Sequence, residues 1–146
     1  MLEEAGEPRV GLDLEITESS VLRDLEDTRR KLRRLREAGV RIAIDDFGTG
    51  YSALGLLPTL PLDILKIDRV FIQGLPSDPA SVALTSSIIR IASTFDLVTV
   101  AEGVESAPQL AMLRKFHCSQ TQGYLHAKPM SAGELGALLA AGRGPA

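Results

Sequence analysis

Apolar and polar residues alternate over short stretches of the chain, the period-2 signature of a strand with two different faces. Over Gly11 to Ile16, Leu12, Leu14 and Ile16 alternate with Asp13 and Glu15. Val40, Ile42 and Ile44 alternate with Arg41, Ala43 and Asp45. Leu62 to Asp68 (LDILKID) and Leu97 to Ala101 are nearly all apolar, as strands covered on both faces are. A short fifth strand is predicted near Ser119 to Thr121, ending at Gln122-Gly123. Between these runs the period changes to that of helices. Thr17, Glu18, Ser19 and Ser20 are cap-type residues before a stripe of Leu22, Leu25, Leu32 and Leu35, with Gly39 as the stop. Leu54 to Pro61 predicts a short helical turn or an irregular segment bounded by prolines, and Pro76 to Pro79 a loop. Helices are predicted over Ser81 to Phe95, over Ala107 to Phe116, and from Ser131 to Ala141, where Glu134 follows Ser131 as a capping box. Residues 1–10 look like an acidic, proline-punctuated connector and residues 142–146 like a tail, leaving 11–141 as the folded part.

The strand starts, from Gly11 to Val40, Leu62, Leu97 and Ser119, have the spacing of repeated βα units. Such units build an α/β fold with a parallel sheet and outer helices. All strand ends then lie at one rim. Those ends carry Glu15, the pair Asp45 and Asp46, Lys66 with Asp68, Glu102 with Glu105, and Gln122. Lys66 shares its parity with Ile64 and Asp68, so it is predicted to point into the face that holds the acids. Phe47, Gly48, Thr49 and Gly50 follow the acidic pair as a glycine-rich loop that allows a sharp turn or close approach to a ligand. The plainer reading of Asp45-Asp46 alone is a solvated strand end; the recurrence of acids at several strand ends favours a site.

Composition narrows the partners. With 45% hydrophobic and 24% charged residues in 146, the chain is globular and long enough for one core. A net charge of -3 gives no general attraction to a nucleic-acid polymer or an anionic membrane. The six basic residues between Arg29 and Arg36 read as a solvated helix face balanced by Glu26, Asp27 and Glu37. The first ten residues lack a signal-peptide pattern, and no apolar run approaches the ~20 residues of a membrane span. Cys118 is the lone cysteine, so no intrachain disulfide forms and a cytoplasmic location is expected.

Converging carboxylates raise one another's pKa unless a cation joins them. With no His or Cys cluster, hard oxygen ligands favour Mg²⁺ or Mn²⁺. His117 and His126 are expected to be structural. A pair of such ions suits in-line phosphodiester hydrolysis, with Lys66 holding water or neutralising phosphorane charge.

LEITES (Leu14 to Ser19), IDDFGTGYS (Ile44 to Ser52), LPLDILKID (Leu60 to Asp68), AEGVE (Ala101 to Glu105) and QGYL (Gln122 to Leu125) resemble, in order and spacing, the EAL domain. The resemblance implies a TIM-type (β/α) barrel, here partial, and a phosphodiesterase that converts cyclic di-GMP to linear pGpG at a two-metal site. It implies that Glu15, Asp45 and Glu102 ligate metal, with Asp46 on the second ion. It makes Lys66 the residue that orients or deprotonates the attacking water, with Asp68 in support and Glu105 and Gln122 placing metal, water or substrate. Glu18 resembles the acid that steadies the DDFGTGYS loop, which in the family couples the site to dimerisation.

Departures accompany the likeness. The sequence contains no Glu-Ala-Leu tripeptide and no Asn, so two of the family's ligands are absent. His117 stands where the family usually has glycine. A closed barrel needs eight strands and about 250 residues, so the rest of the domain, and any sensory domain upstream, is expected to precede Met1. Weak or absent activity alone is expected. A non-catalytic module binding cyclic di-GMP or a protein, or a gene fragment without independent role, are the alternatives. Open sheet edges and inward residues such as Ala43, Ile64, Val98 and Val100 lead to an expectation of self-association.

Overall fold

The computed structural model describes residues 11–21, 24–48 and 53–141. Its strands form one parallel sheet in the order β1 (Asp13–Thr17), β2 (Arg41–Phe47), β3 (Ile64–Ile67), β4 (Val98–Ala101) and β5 (Gln120–Thr121). Strand order follows chain order, as successive βα units with right-handed crossovers produce. The expected α/β partial barrel is the fold observed: among the described residues β1 and β5 are the two edges, and the sheet does not close.

The helices depart from expectation in three places. The first predicted helix is two: α1 (Glu18–Val21) and α2 (Leu25–Glu37), with the restart capped by Asp24, whose carboxylate accepts the Asp27 N–H at 3.0 Å. Asp24 thus takes the N-cap role expected of Thr17 to Ser20. After α3 (Ala53–Leu56), the sequence reading missed α4 (Arg69–Ile72), a single turn whose N-cap is Asp68, accepting the Val70 N–H at 2.7 Å. One turn is too short for a periodic signal. The long α5 (Pro79–Thr94) starts earlier than predicted because Asp78 caps it and Pro79 suits its first turn. Helices α6 (Ala107–Lys115) and α7 (Ala132–Ala140) fall where expected, and Glu134 reaches back to the Ser131 N–H at 2.7 Å.

The outer sheet face, with Ile42, Ile44, Leu65 and Ile67, is buried in one cluster with Leu32, Ile72, Ile88, Ile89, Ala92 and Leu113 of the helices. The register carries Glu15 beside Ala43, Ala43 beside Ile64, and Ile64 beside Val98 on the opposite face. Of the inward residues expected to be uncovered, Ala43 and Ile64 are buried, whereas Val98 and Val100, nearer the β5 edge, are half-buried. At the other end of the sheet, Leu12 and Leu14 beside and on β1 are also open. At the opposite end from the rim, Asp63 accepts the Ile42 N–H at 2.9 Å and pairs with Arg36 at 2.9 Å, tying α2 to β2 and β3.

Candidate functional site

Parity places Lys66 on the inner face of β3, the second-last residue of a strand buried throughout. The residue is only 7% exposed. A lysine this buried requires partners, and three carboxylates from three strands supply them. Its Nζ lies 2.7 Å from Glu15 Oε1, 3.2 Å from Asp45 Oδ1 and 2.7 Å from Glu102 Oε1. Burial pulls the lysine pKa down, but the hydrogen bonds to Glu102 and Glu15 outweigh it and hold the ammonium above the usual lysine range. Lys66 is therefore a firmly protonated cation.

Strict alternation would turn Asp46 away from this face. Between Ile44 and Phe47 the β2–β3 register shifts, and Asp46 adopts a left-handed backbone with φ 56°. Asp tolerates that conformation better than most residues. The irregularity lets both adjacent acids serve the rim while Phe47 returns to the core, 2% exposed. Partial burial, then the neighbouring charges of Asp45 and Asp68, hold the Asp46 carboxyl above the usual carboxylate range. Asp68 thus caps α4 and also faces Asp46.

Glu105 and Gln122 stand on flanking turns. The Gln122 N–H donates to Ala101 O at 2.8 Å, and Gln122 O accepts the Val104 N–H at 3.0 Å. No described hydrogen bond joins the side chains of Glu105 or Gln122 to Lys66. Gly48 ends the described part of the loop, with a positive φ of 91°. Thr49 and Gly50, and the side chain of Glu18, lie outside the described residues, as does Leu22. His126 bonds Thr121 Oγ1 at 2.8 Å, and His117 takes a left-handed φ of 61° after α6. Neither approaches the Lys66 group through a described contact.

The oxygens of Glu15, Asp45 and Glu102 meet at an ammonium rather than directly at one another. Among the described residues, no group of three or more His, Cys, Asp or Glu side chains is already set for a metal ion. The donor set is nevertheless all carboxylate and oxygen, and it surrounds a positive centre. Sequence reasoning missed Gln109, a buried carboxamide under the Glu102–Ser106 turn. Its signal was present in Ser106-Ala107-Pro108-Gln109, the capping-box spacing.

A parallel α/β sheet whose strand ends gather acids around one lysine defines a partial barrel with a rim site. The EAL domain family model matches residues 1–129. The chain belongs to the EAL domain family. It is 46% identical over 142 residues to the cyclic di-GMP phosphodiesterase NbdA of Pseudomonas aeruginosa, covering 97% of this chain and 18% of NbdA. The crystal structure of the EAL domain of Mycobacterium smegmatis DcpA superposes with TM-score 0.92 at 47% identity, over 99% of this chain and 65% of that one. A manganese and cyclic di-GMP complex of Klebsiella pneumoniae BlrP1 matches with TM-score 0.79 at 32% identity, over 87% of this chain and 32% of BlrP1. The chain thus spans less than two thirds of each of these relatives. No helix among the described residues is long and apolar enough to cross a membrane.

Proposed function

We propose that this chain provides the acid-and-lysine rim of a metal-dependent phosphodiesterase acting on cyclic di-GMP. The observation that carries the reading is the convergence of Glu15, Asp45 and Glu102, from three strands, on Lys66. Similarity to NbdA, a cyclic di-GMP phosphodiesterase, and to the manganese and cyclic di-GMP complex of BlrP1 supports the substrate and the metal class. Glu15, Asp45, Asp46 and Glu102 would hold Mg²⁺ or Mn²⁺, because hard carboxylate oxygens suit these ions. Four carboxylates against one ammonium leave negative charge for cations to neutralise. Bound there, the ions would supply an acidified water and neutralise phosphate charge.

Lys66, its ammonium held among three carboxylates, is suited to donating hydrogen bonds to the attacking water or to a phosphoryl oxygen. Asp68 fixes α4 beside the acidic pair, and Glu105 and Gln122 border the space a dinucleotide would enter. In the hydrolysis, water oxygen bonds to one phosphorus and one P–O ester bond breaks, leaving a terminal phosphate and a free hydroxyl on linear pGpG. With no Glu-Ala-Leu and no Asn in the sequence, turnover by this chain alone is expected to be low.

Titration calorimetry with Mn²⁺ and chromatography of reaction products test the reading together. Weak Mn²⁺ binding that disappears in the Asp45→Asn, Asp46→Asn double variant is expected, with little pGpG. Heats unchanged by that double substitution would refute the ligand assignment. Cyclic di-GMP binding without Mn²⁺ and without pGpG would mark the non-catalytic module instead.

A further inference from the structure

Gln109, 8% exposed, sits in the first turn of α6 beneath the turn that carries Glu102 and Glu105. Its Oε1 accepts the Glu105 N–H at 2.9 Å and the Ser106 N–H at 3.0 Å, and its Nε2 donates to Ile72 O at 3.2 Å. Two backbone N–H groups pointing at one atom identify that atom as the oxygen, so the amide has one orientation. An ordinary capping residue accounts for the Ser106 bond alone. The other two bonds reach further: into the AEGVE loop, and across to the end of α4, the helix that follows Lys66 and Asp68.

The same loop is gripped on two other sides. A Cβ on Gly103 would stand 2.6 Å from Arg69 Cβ, and one on Gly123 would stand 2.3 Å from Val104 N and O. Val104 is fully buried, and its N–H and C=O are bonded to Gln122 O and the Leu125 N–H. The Glu102–Ser106 segment therefore has no slack against α4 or the β5 turn. Glu102 reaches Lys66 at 2.7 Å, a contact that a shift of an ångström would break.

We infer that Gln109 is a positioning residue for the rim, locking the Glu102–Ser106 segment onto α4 and so fixing Glu102 against Lys66. Its catalytic consequence rests on the phosphodiesterase reading; the clamp itself does not.

The test uses the ¹⁵N-labelled chain with Gln109→Met and Gln109→Glu. Amide hydrogen exchange, the Lys66 ammonium signal and Mn²⁺ affinity are measured for each. Loss of the clamp in Gln109→Met should speed exchange at Glu105 and Ser106 about tenfold, leave Leu65 and Ile88 unchanged, and perturb the Lys66 signal. Mn²⁺ affinity should fall about tenfold. Gln109→Glu keeps an oxygen for the two N–H groups but sets an oxygen against Ile72 O. Glu105 should then stay protected while the Lys66 signal still shifts, and this variant decides the matter if the methionine variant does not fold. Equal acceleration at Glu105 and Leu65 with an unmoved Lys66 signal would overturn the proposal, reducing Gln109 to a contributor to stability. Wild-type protein that binds no Mn²⁺, with Glu105 and Ser106 selectively loosened in Gln109→Met, would overturn the phosphodiesterase reading and leave the clamp standing.

Discussion

Replacing Lys66 by Met removes one positive charge from the centre of three carboxylates while keeping an unbranched side chain one atom shorter. Breaking a buried ion pair by deleting one partner costs roughly 3–5 kcal/mol. Here the partners are partly wet: the Glu15, Asp45 and Glu102 side chains are 51%, 22% and 23% exposed, so water screens much of their repulsion. Discounting for that screening gives a loss of about 2 kcal/mol, or about 4–8 °C in Tm for a domain of this size. Urea unfolding in metal-free buffer measures it. A lysine held above its unfolded pKa stabilises the fold fully below that unfolded value, and the contribution is lost as pH rises through the folded value. The wild-type advantage should therefore persist up to the ordinary lysine value of 10.5 and shrink only above it. Mn²⁺ at ten times its dissociation constant should return about 1.4 kcal/mol to the variant, since a cation again meets the acids. Equal or greater stability of Lys66→Met without metal would refute the idea that this lysine offsets the rim's charge.

Two further outcomes follow from the same structure. Gly123→Ala places a methyl group 2.3 Å from Val104 backbone atoms, so urea unfolding should show a loss of about 3 kcal/mol, and an unchanged midpoint would mean the β5 turn yields easily. Asp78 caps α5 through the N–H groups of Ala80 and Ser81 and the Ser81 hydroxyl, and those hydrogen bonds hold its carboxyl below the usual carboxylate range. That contribution is present above the unfolded pKa and is lost as pH falls through the lowered one. Asp78→Ala should accordingly lower Tm at neutral pH but close the gap to wild type in strong acid, whereas a gap independent of pH would disprove the charge assignment.

Much of the rim was legible because it depends on parity. Lys66 shares a face with the acids since side chains alternate along a strand, and the register needs no more than that. The pair Asp45-Asp46 shows where alternation stops being informative. Neighbours in an ideal strand face opposite ways, and only the register shift with a left-handed Asp46 aims both acids at the rim. No periodic pattern encodes such an irregularity, although an Asp before Phe-Gly is compatible with it. Asp68 was read for its charge, yet its carboxylate also caps a one-turn helix that no periodicity announces. Asp24 divides a continuous leucine stripe because local capping outcompetes continuation of the first turn. Gln109 was passed over because its function lies in a contact with Ile72, 37 positions away, which sequence order does not bring together.

The chemistry of the central cation explains why a lysine serves at this position. Glu15, Asp45 and Glu102 approach from three different strands, and an ammonium offers three donors spread in three directions. A guanidinium is planar and pairs best with one carboxylate through its fork, so it would satisfy one strand and leave two acids facing each other. The pairing of Arg41 with Asp13 illustrates that other geometry: Nε and Nη2 reach the two oxygens of a single carboxylate at 2.7 and 2.8 Å, across one strand pair. At the rim, the branching donors of Lys66 hold three strand ends in register at once. The same branching leaves the ammonium with a donor to spare whenever one carboxylate turns to another cation. Under the proposed function, that donor would be available to a water or a phosphate oxygen.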